Sequence, residues 1–572
     1  MGTGDFFYAA SQQHIKLAAD LGIKNVVIDS RGHGKDRIDG ASDDQLCLMP
    51  GYRKVYNIRK KFEAAIEKER DTIRRKIKLA ENLGLTPFLH SYEISIPVEI
   101  RKAYPSLFVK QTRESIKCDP ACDVDRYMCL SDPAIRALVS DKIEEVLSSF
   151  SGIGGYIYSF HESQLTTFSH FCDKCKKEER FKLVKWLYDA VTEGASRVNR
   201  KLVIIPRLWG ITHPREMGYQ NLKDIAEIID YDQSHWFCRR IPAIKKYHYD
   251  PETVNPKLGG MVEEDGNMLM YKATWGDYTL FQPLNKWAAS YGKARQIVEL
   301  SLEHCVAGRN IPLIISAQHQ DIIKRLRKDK VSFCAVPVNW GRVYRDTDAH
   351  KEGADAKHWG LNFLNIELLG KLLKNPAISL TKEISLILSA KYKEKVSEKI
   401  SSSLLKTAEI MAAAVNIRGV SSVMNLDYVL SKPTYTFRLT LSCAYWYKVM
   451  RENGDSLIST DDENMEKIFK EKDNAVIMAE KLLKDILTDL KKLKSDALKK
   501  ELSQFFCDFT DIIEYLAVSR KRLWIMLKIQ KEKKVSFTWT KKLDELLDNE
   551  KNIQARSEIV NKIYNGAFDK LF

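Results

Sequence analysis

The decapeptide GYIYSFHESQ, residues 155–164, decides how the rest of the chain is read. Gly152, Gly154 and Gly155 lead into a short run of β-forming residues, and that run stops on His161, Glu162 and Ser163. An apolar strand ending on ionisable groups is what a parallel barrel produces, because its C-terminal strand ends all face one rim. Seven further runs have the same character: DFFYAA, NVVIDS, TPFLHSYE, LVIIPRLWG, NMLMYKATWGD, QIVELSLEH and FCAVPVNWGR. Helix-period segments separate most of them, for instance Gln12 to Leu21, Tyr56 to Leu83 and Pro133 to Phe150, the last with Ser131 or Asp132 as its cap. The alternation predicts an α/β fold, a (β/α)8 TIM-type barrel over residues 1–345.

After residue 345 strand-like runs stop and amphipathic helices take over, which predicts an α-helical C-terminal domain over residues 346–572. One of its helices is expected over residues 481–500, where Leu483, Ile486, Leu487, Leu490 and Leu493 recur at helical spacing. Residues 232–262 match no βα unit and read as an inserted loop over the pocket.

Composition narrows the function classes. Of 572 residues, 44% are hydrophobic and 10% aromatic, which is ordinary for a folded chain. The net charge of +15 comes largely from lysines on helical surfaces, and no basic stripe interleaved with aromatics is present. No nucleic-acid partner is therefore expected. No apolar run approaches the ~18 residues of a membrane span, and the N-terminus lacks the pattern of a secretion signal, so no membrane association and a cytoplasmic location are expected, although a secreted protein trimmed of its signal would look the same. A homodimer through the helical domain is a further expectation.

The groups that follow the strands are mostly carboxylates and aromatics: Asp29 and Arg31, Glu93, Glu162, Arg207 and Trp209, Asp277, Glu303, and Asn339 and Trp340. Each alone reads as a cap or a surface charge; recurrence at successive strand ends points to one pocket. A nucleophile elbow and a phosphate-binding glycine loop are both missing, which argues against phosphoryl transfer. Rim carboxylates with Trp209, Trp275 and Trp340 nearby suit glycoside hydrolysis, where one carboxylic acid protonates the leaving oxygen and another carboxylate activates water or attacks. The same tryptophans also suit ordinary packing. Cys118 and Cys122 follow the third strand and Cys172 and Cys175 the fourth, so neighbouring loops can bring four thiols together as a structural zinc site, or as reduced thiols. An all-thiolate set leaves no position for catalytic water, and hydrolysis needs no cofactor.

These segments resemble the α-glucuronidases of glycoside hydrolase family 67, from about residue 12 to about residue 420. GYIYSFHESQ resembles the strand end that carries the family's general acid, which implies that role for Glu162. VIIPRLWG resembles the next strand end with its arginine, here Arg207. MYKATWGDYTLFQPL resembles the segment with a lysine five positions before an aspartate, here Lys272 and Asp277, and IVELSLEHCVAG the strand whose second glutamate is Glu303. The resemblance implies an inverting enzyme with Asp277 and Glu303 as the general-base pair, exo-acting on a terminal uronic sugar of a plant or host glycan. Arg207 and Lys272 would then hold an anionic or polyhydroxyl group, with His161 and Tyr158 also on the substrate.

The sequence also departs from that family. Tyr158 stands where it has a lysine, the amino-terminal β-rich domain is missing, the spacing before Glu303 is shorter, and residues 232–262 are extra. Three alternatives stay open: a barrel glycosidase for another terminal sugar such as an N-acetylhexosamine, a non-catalytic carbohydrate-binding barrel, and an Arg207 that only orients a rim carboxylate such as Glu162 or Asp277.

Overall fold

The computed structural model describes residues 4–9, 11–29, 60, 63–92, 104–107, 129–159, 173–207, 251–272, 291–301, 312–336, 360–418, 459–532 and 537–561. Eight parallel strands close into a barrel in chain order. They are β1 (Phe6–Ala9), β2 (Asn25–Asp29), β3 (Thr86–Tyr92), β4 (Gly155–Ser159), β5 (Val203–Arg207), β6 (Met268–Lys272), β7 (Arg295–Ser301) and β8 (Ser332–Val336). Six fall within runs read from the sequence, and β7 and β8 each begin one residue ahead of theirs. The chain is thus a (β/α)8 barrel followed by helices.

Alternation along each strand sorts side chains into two cores. Phe6, Val27, Phe88, Ile157, Ile205, Met270, Ile297 and Cys334 point inward and fill the barrel. Phe7, Val26, Leu89, Tyr156, Ile204, Leu269, Val298 and Phe333 point outward, under the helices. Gly155 makes room for the inner layer. A Cβ there would lie 2.3 Å from the Val203 carbonyl oxygen and 2.5 Å from the Phe88 ring. Asp5 closes the seam between β1 and β8: it accepts from the Arg327 guanidinium at 2.9 and 2.5 Å and from the Phe333 N–H at 3.0 Å.

Among the described residues the helices around the barrel are α1 (Gln12–Asp20), α2 (Glu63–Asn82), α3 (Pro133–Ser149), α4 (Arg180–Ser196), α5 (Pro251–Glu264) and α6 (Ser316–Lys328). Ser11 caps α1, and Asp132 rather than Ser131 caps α3, its carboxylate accepting from the Ala134 N–H at 3.1 Å. The presence of α5 corrects the reading of residues 232–262 as a loop: from Pro251 onward the chain is the helix that leads into β6, while residues 232–250 lie outside the described residues. Pro256, Gly259 and Gly260 disguise it, since all three disfavour helix interiors. Gly259 is there for contact, because a Cβ would lie 2.0 Å from the Tyr291 carbonyl oxygen.

Among the described residues beyond 360 every long element is helical: α7 (Phe363–Lys374), α8 (Leu380–Tyr392), α9 (Glu398–Val415), α10 (Asp462–Leu490), α11 (Asp496–Glu532) and α12 (Phe537–Arg556). The helix expected over residues 481–500 is two helices. The Glu394 carboxylate accepts from the Lys494 and Ser495 N–H groups and holds the break. The expected domain boundary at residue 345 lies outside the described residues. The apolar cluster around the barrel runs on without a gap to Leu368, Met411, Ile486 and Phe506. Three successive backbone N–H groups just ahead of α6 depend on this region: Leu313 donates to Asn362 at 3.2 Å, Ile314 to Thr407 at 3.1 Å and Ile315 to Asn365 at 2.8 Å. Among the described residues no helix is long and apolar enough to cross a membrane.

Candidate active site at the C-terminal end of the barrel

The apolar filling of the barrel gives way to a polar layer two residues further along five strands. Phe6 is followed in this way by Tyr8, Phe88 by His90, Ile157 by Ser159, Ile205 by Arg207 and Ile297 by Glu299. Two residues of strand rise about 6.6 Å, so the polar layer sits one step nearer the rim. All five side chains are buried.

They form one connected chain across the barrel. The Arg207 guanidinium grips Glu299 with both edges, Nε to Oε2 at 2.7 Å and Nη2 to Oε1 at 3.0 Å. Arg207 Nη1 donates to Ser159 Oγ at 3.3 Å. Ser159 Oγ lies 2.6 Å from His90 Nε2, and His90 Nδ1 meets the Tyr8 hydroxyl. The imidazole thus bridges two hydroxyls. A buried ion pair pays a desolvation cost that only good geometry offsets, and a bidentate guanidinium–carboxylate contact is the geometry that does so. Cys334, paired in register with Glu299, reports the low polarity around it: burial pushes its thiol well above the usual range, the negative charge of Glu299 adds to this, and Arg207 partly opposes it. Cys334 is a protonated packing residue at neutral pH, not a nucleophile.

This layer can hold the ends of β1, β3, β4, β5 and β7 in fixed relation, and so present whatever follows them in sequence. Glu162, Asp277 and Glu303 lie outside the described residues, as do His161, Trp209, Trp275, Trp340, Cys118, Cys122 and Cys172. Lys272 is the last residue of β6 and the register partner of Glu299; its side chain is outside the described set. Tyr158 is a correction. It belongs to the outward phase of β4 with Tyr156, fully buried between sheet and helices, so it does not face a substrate in the barrel mouth. Arg207 is in the barrel, but its charge is matched by Glu299, a carboxylate that the sequence reading passed over in favour of Glu303. A signal for it existed: a glutamate in the inward phase of a buried strand requires a cationic partner.

Cys175 has a neighbour the sequence reading did not include. Its sulfur lies 3.5 Å from Cys129 Sγ, and Ser131 Oγ donates to it at 3.1 Å. Among the described residues no group of three or more ligand side chains converges. A groove of about 540 Å³ lies between α4 and α5, lined by Tyr188, Asp189, Lys257 and Glu264 among others. It is on the outer helical layer, away from the barrel mouth.

No family model and no curated protein matches the sequence. Among solved structures, the chain is similar to a glycoside hydrolase family 138 enzyme targeting pectin rhamnogalacturonan II, with a TM-score of 0.53 and 10% identity over 97% of this chain and 72% of that one. It also matches a Flavobacterium johnsoniae family 20 chitobiase at a TM-score of 0.35 and 11% identity, over 96% of this chain and 78% of that one. The first likeness shows a shared fold that extends through the helical region; the second is too slight to argue from.

Proposed function

We propose that the protein is a glycoside hydrolase that removes a terminal sugar from a plant or host glycan, with Glu162 as general acid and Asp277 and Glu303 as the general-base pair of an inverting reaction. The observation that carries this reading is the polar layer of Tyr8, His90, Ser159, Arg207 and Glu299, built at the rim end of the barrel beneath the strands that lead into those three carboxylates. The fold shared with an enzyme that targets a pectic polysaccharide supports the same class. Protonation of the glycosidic oxygen by Glu162 would release the leaving group, while a water activated by Asp277 or Glu303 attacks the opposite face of the sugar.

The terminal sugar is expected to be uronic, with a modest preference over its neutral counterpart. Arg207 is charge-matched by Glu299, which leaves Lys272 as the candidate cation for a sugar carboxylate. Turnover of aryl glycosides and uronic-acid-capped oligosaccharides, followed by NMR of the released anomer, tests the reading. Hydrolysis with inversion is expected, and Glu162→Gln should lower kcat by on the order of 10²–10⁴-fold. Binding of glycans without turnover of any would overturn it, and a retained anomer would overturn the inverting part.

A further inference from the structure

Tyr8, His90, Arg207 and Glu299 come from β1, β3, β5 and β7, alternate strands of the barrel, and alternate strands are what supply one layer of its interior. Ser159 of β4 joins them. The chain of contacts has one end whose protons cannot move: a guanidinium only donates, so Arg207 gives protons to both Glu299 oxygens and, at 3.3 Å, to Ser159 Oγ. At the other end stands the Tyr8 hydroxyl, on His90 Nδ1. Tyr8 and His90 are firmly seated. Their rings meet edge to face at 5.4 Å, one layer above the Phe6 and Phe88 rings of the same two strands, which meet in the same way at 5.0 Å.

We propose that Tyr8 is a substrate-binding residue whose hydroxyl donates a hydrogen bond to a sugar oxygen, and that His90 is the positioning residue that commits it to donating, by carrying the ring proton on Nδ1. A hydroxyl that accepts from a cation becomes a stronger donor and a weaker acceptor. Ser159 accordingly gives its proton to His90 Nε2 at 2.6 Å, and Nδ1 donates to the Tyr8 oxygen. Every bond then runs the same way, from the guanidinium on β5 to the phenol on β1, and the Tyr8 proton is donated out of the layer. The side chains beneath, Phe6, Phe88, Ile157, Ile205 and Ile297, offer it no acceptor. A sugar in the barrel mouth, dense in hydroxyl and ring oxygens, does. The opposite tautomer would make Tyr8 a donor to His90 and leave its oxygen only to accept from a ligand. The nature of the ligand rests on the glycosidase reading; the direction of the chain does not.

NMR of full-length protein isotopically labelled at the histidine nitrogens reads the tautomer, because protonated and unprotonated ring nitrogens differ widely in chemical shift. Loss of signals in His90→Asn assigns them, and their displacement in Tyr8→Phe, which keeps the ring packing, does so if the first variant fails to fold. A proton on Nδ1 and none on Nε2 is expected; the reverse, or a proton on both, would overturn the proposal. Titration with glucuronic acid, glucose and N-acetylglucosamine should move the His90 Nδ1 signal saturably for the sugar that binds, and Tyr8→Phe should lower kcat/KM on the hydrolysed glycoside about tenfold, the effect of one lost hydrogen bond. Wild-type turnover that Tyr8→Phe leaves unchanged, or sugar saturation that leaves the His90 signal in place, overturns the role of Tyr8 while the glycosidase reading stands. A wild-type protein that neither hydrolyses a glycoside nor binds a sugar overturns that reading and the Tyr8 ligand together, and the tautomer still decides the direction of the chain.

Discussion

Replacing Glu299 by glutamine tests the polar layer directly. The side chain keeps its shape and its place on β7 but loses the charge facing Arg207. Glu299 is 0% exposed and Arg207 3%, so water cannot take over from the missing carboxylate. Breaking a buried pair from one side leaves an uncompensated charge and costs about 3–5 kcal/mol, a shift of roughly 10²–10⁴-fold in the unfolding equilibrium. The bidentate contact at 2.7 and 3.0 Å places this pair toward the upper end. Removing both charges should be far milder, because Arg207→Met with Glu299→Leu removes the desolvation cost along with the attraction. Urea denaturation followed by tryptophan fluorescence compares Glu299→Gln with wild type and measures the cycle of wild type, Arg207→Met, Glu299→Leu and the double variant. If Glu299→Gln costs less than ~1 kcal/mol, or if the double variant loses the sum of the two singles, the pair does not hold the barrel end as described.

Three further outcomes are expected. Lys472, fully buried, donates to the Ala413 carbonyl at 2.7 Å and to the Glu471 carboxylate at 2.9 Å, and burial pushes its ammonium down to about 8. Between that value and the ordinary lysine range near 10.4 the unfolded chain holds a proton that the folded one has released, so stability should rise with pH across this window and be flat in Lys472→Met by comparison, the difference being on the order of 3 kcal/mol; parallel pH profiles of the two proteins check it. Gly155→Ala should lower stability by about 1–3 kcal/mol, since its methyl would press on the Phe88 ring and the β5 backbone, and calorimetry reads this. Lys272→Met should reduce kcat/KM on a uronic-acid substrate more than on the neutral hexoside, and equal losses would remove the anion preference from the proposed function.

The barrel was legible because all eight strands are short apolar runs bounded by turn residues, a pattern that depends on local sequence alone. What the pattern could not show was phase and pairing. Tyr158 is expected at the pocket because it stands where the resembled family has a lysine, yet it shares the outward face with Tyr156, and period two along β4 places Ile157 and Ser159 inside instead. Glu299 was overlooked because its partner, Arg207, is 92 residues away and comes near only when β5 and β7 curl into one barrel. Helix α5 was hidden by Pro256, Gly259 and Gly260, whose unfavourable propensity is overridden by the close fit against Tyr291. The break after Leu490 was hidden for the opposite reason: leucines continue at helical spacing through the break, and the group that stops the helix, Glu394, is a hundred residues upstream.

The seam closed by Asp5 bears on how the chain reaches this structure. Asp5 and Phe333 are 328 residues apart, so β1 waits for about three hundred residues of synthesis after β2 before its second neighbour exists. Bringing ends that far apart together costs on the order of 5 kcal/mol in chain entropy, more than the Asp5–Arg327 contact alone returns. Until β8 emerges, β1 and β7 are open edges of a curled sheet, each able to pair with another chain. Even then α6 cannot settle, because the N–H groups of Leu313, Ile314 and Ile315 wait for Asn362, Thr407 and Asn365. A fragment cut at the end of the barrel would therefore keep all eight strands and still lack the acceptors for the three N–H groups ahead of α6: the helices that follow the barrel complete it.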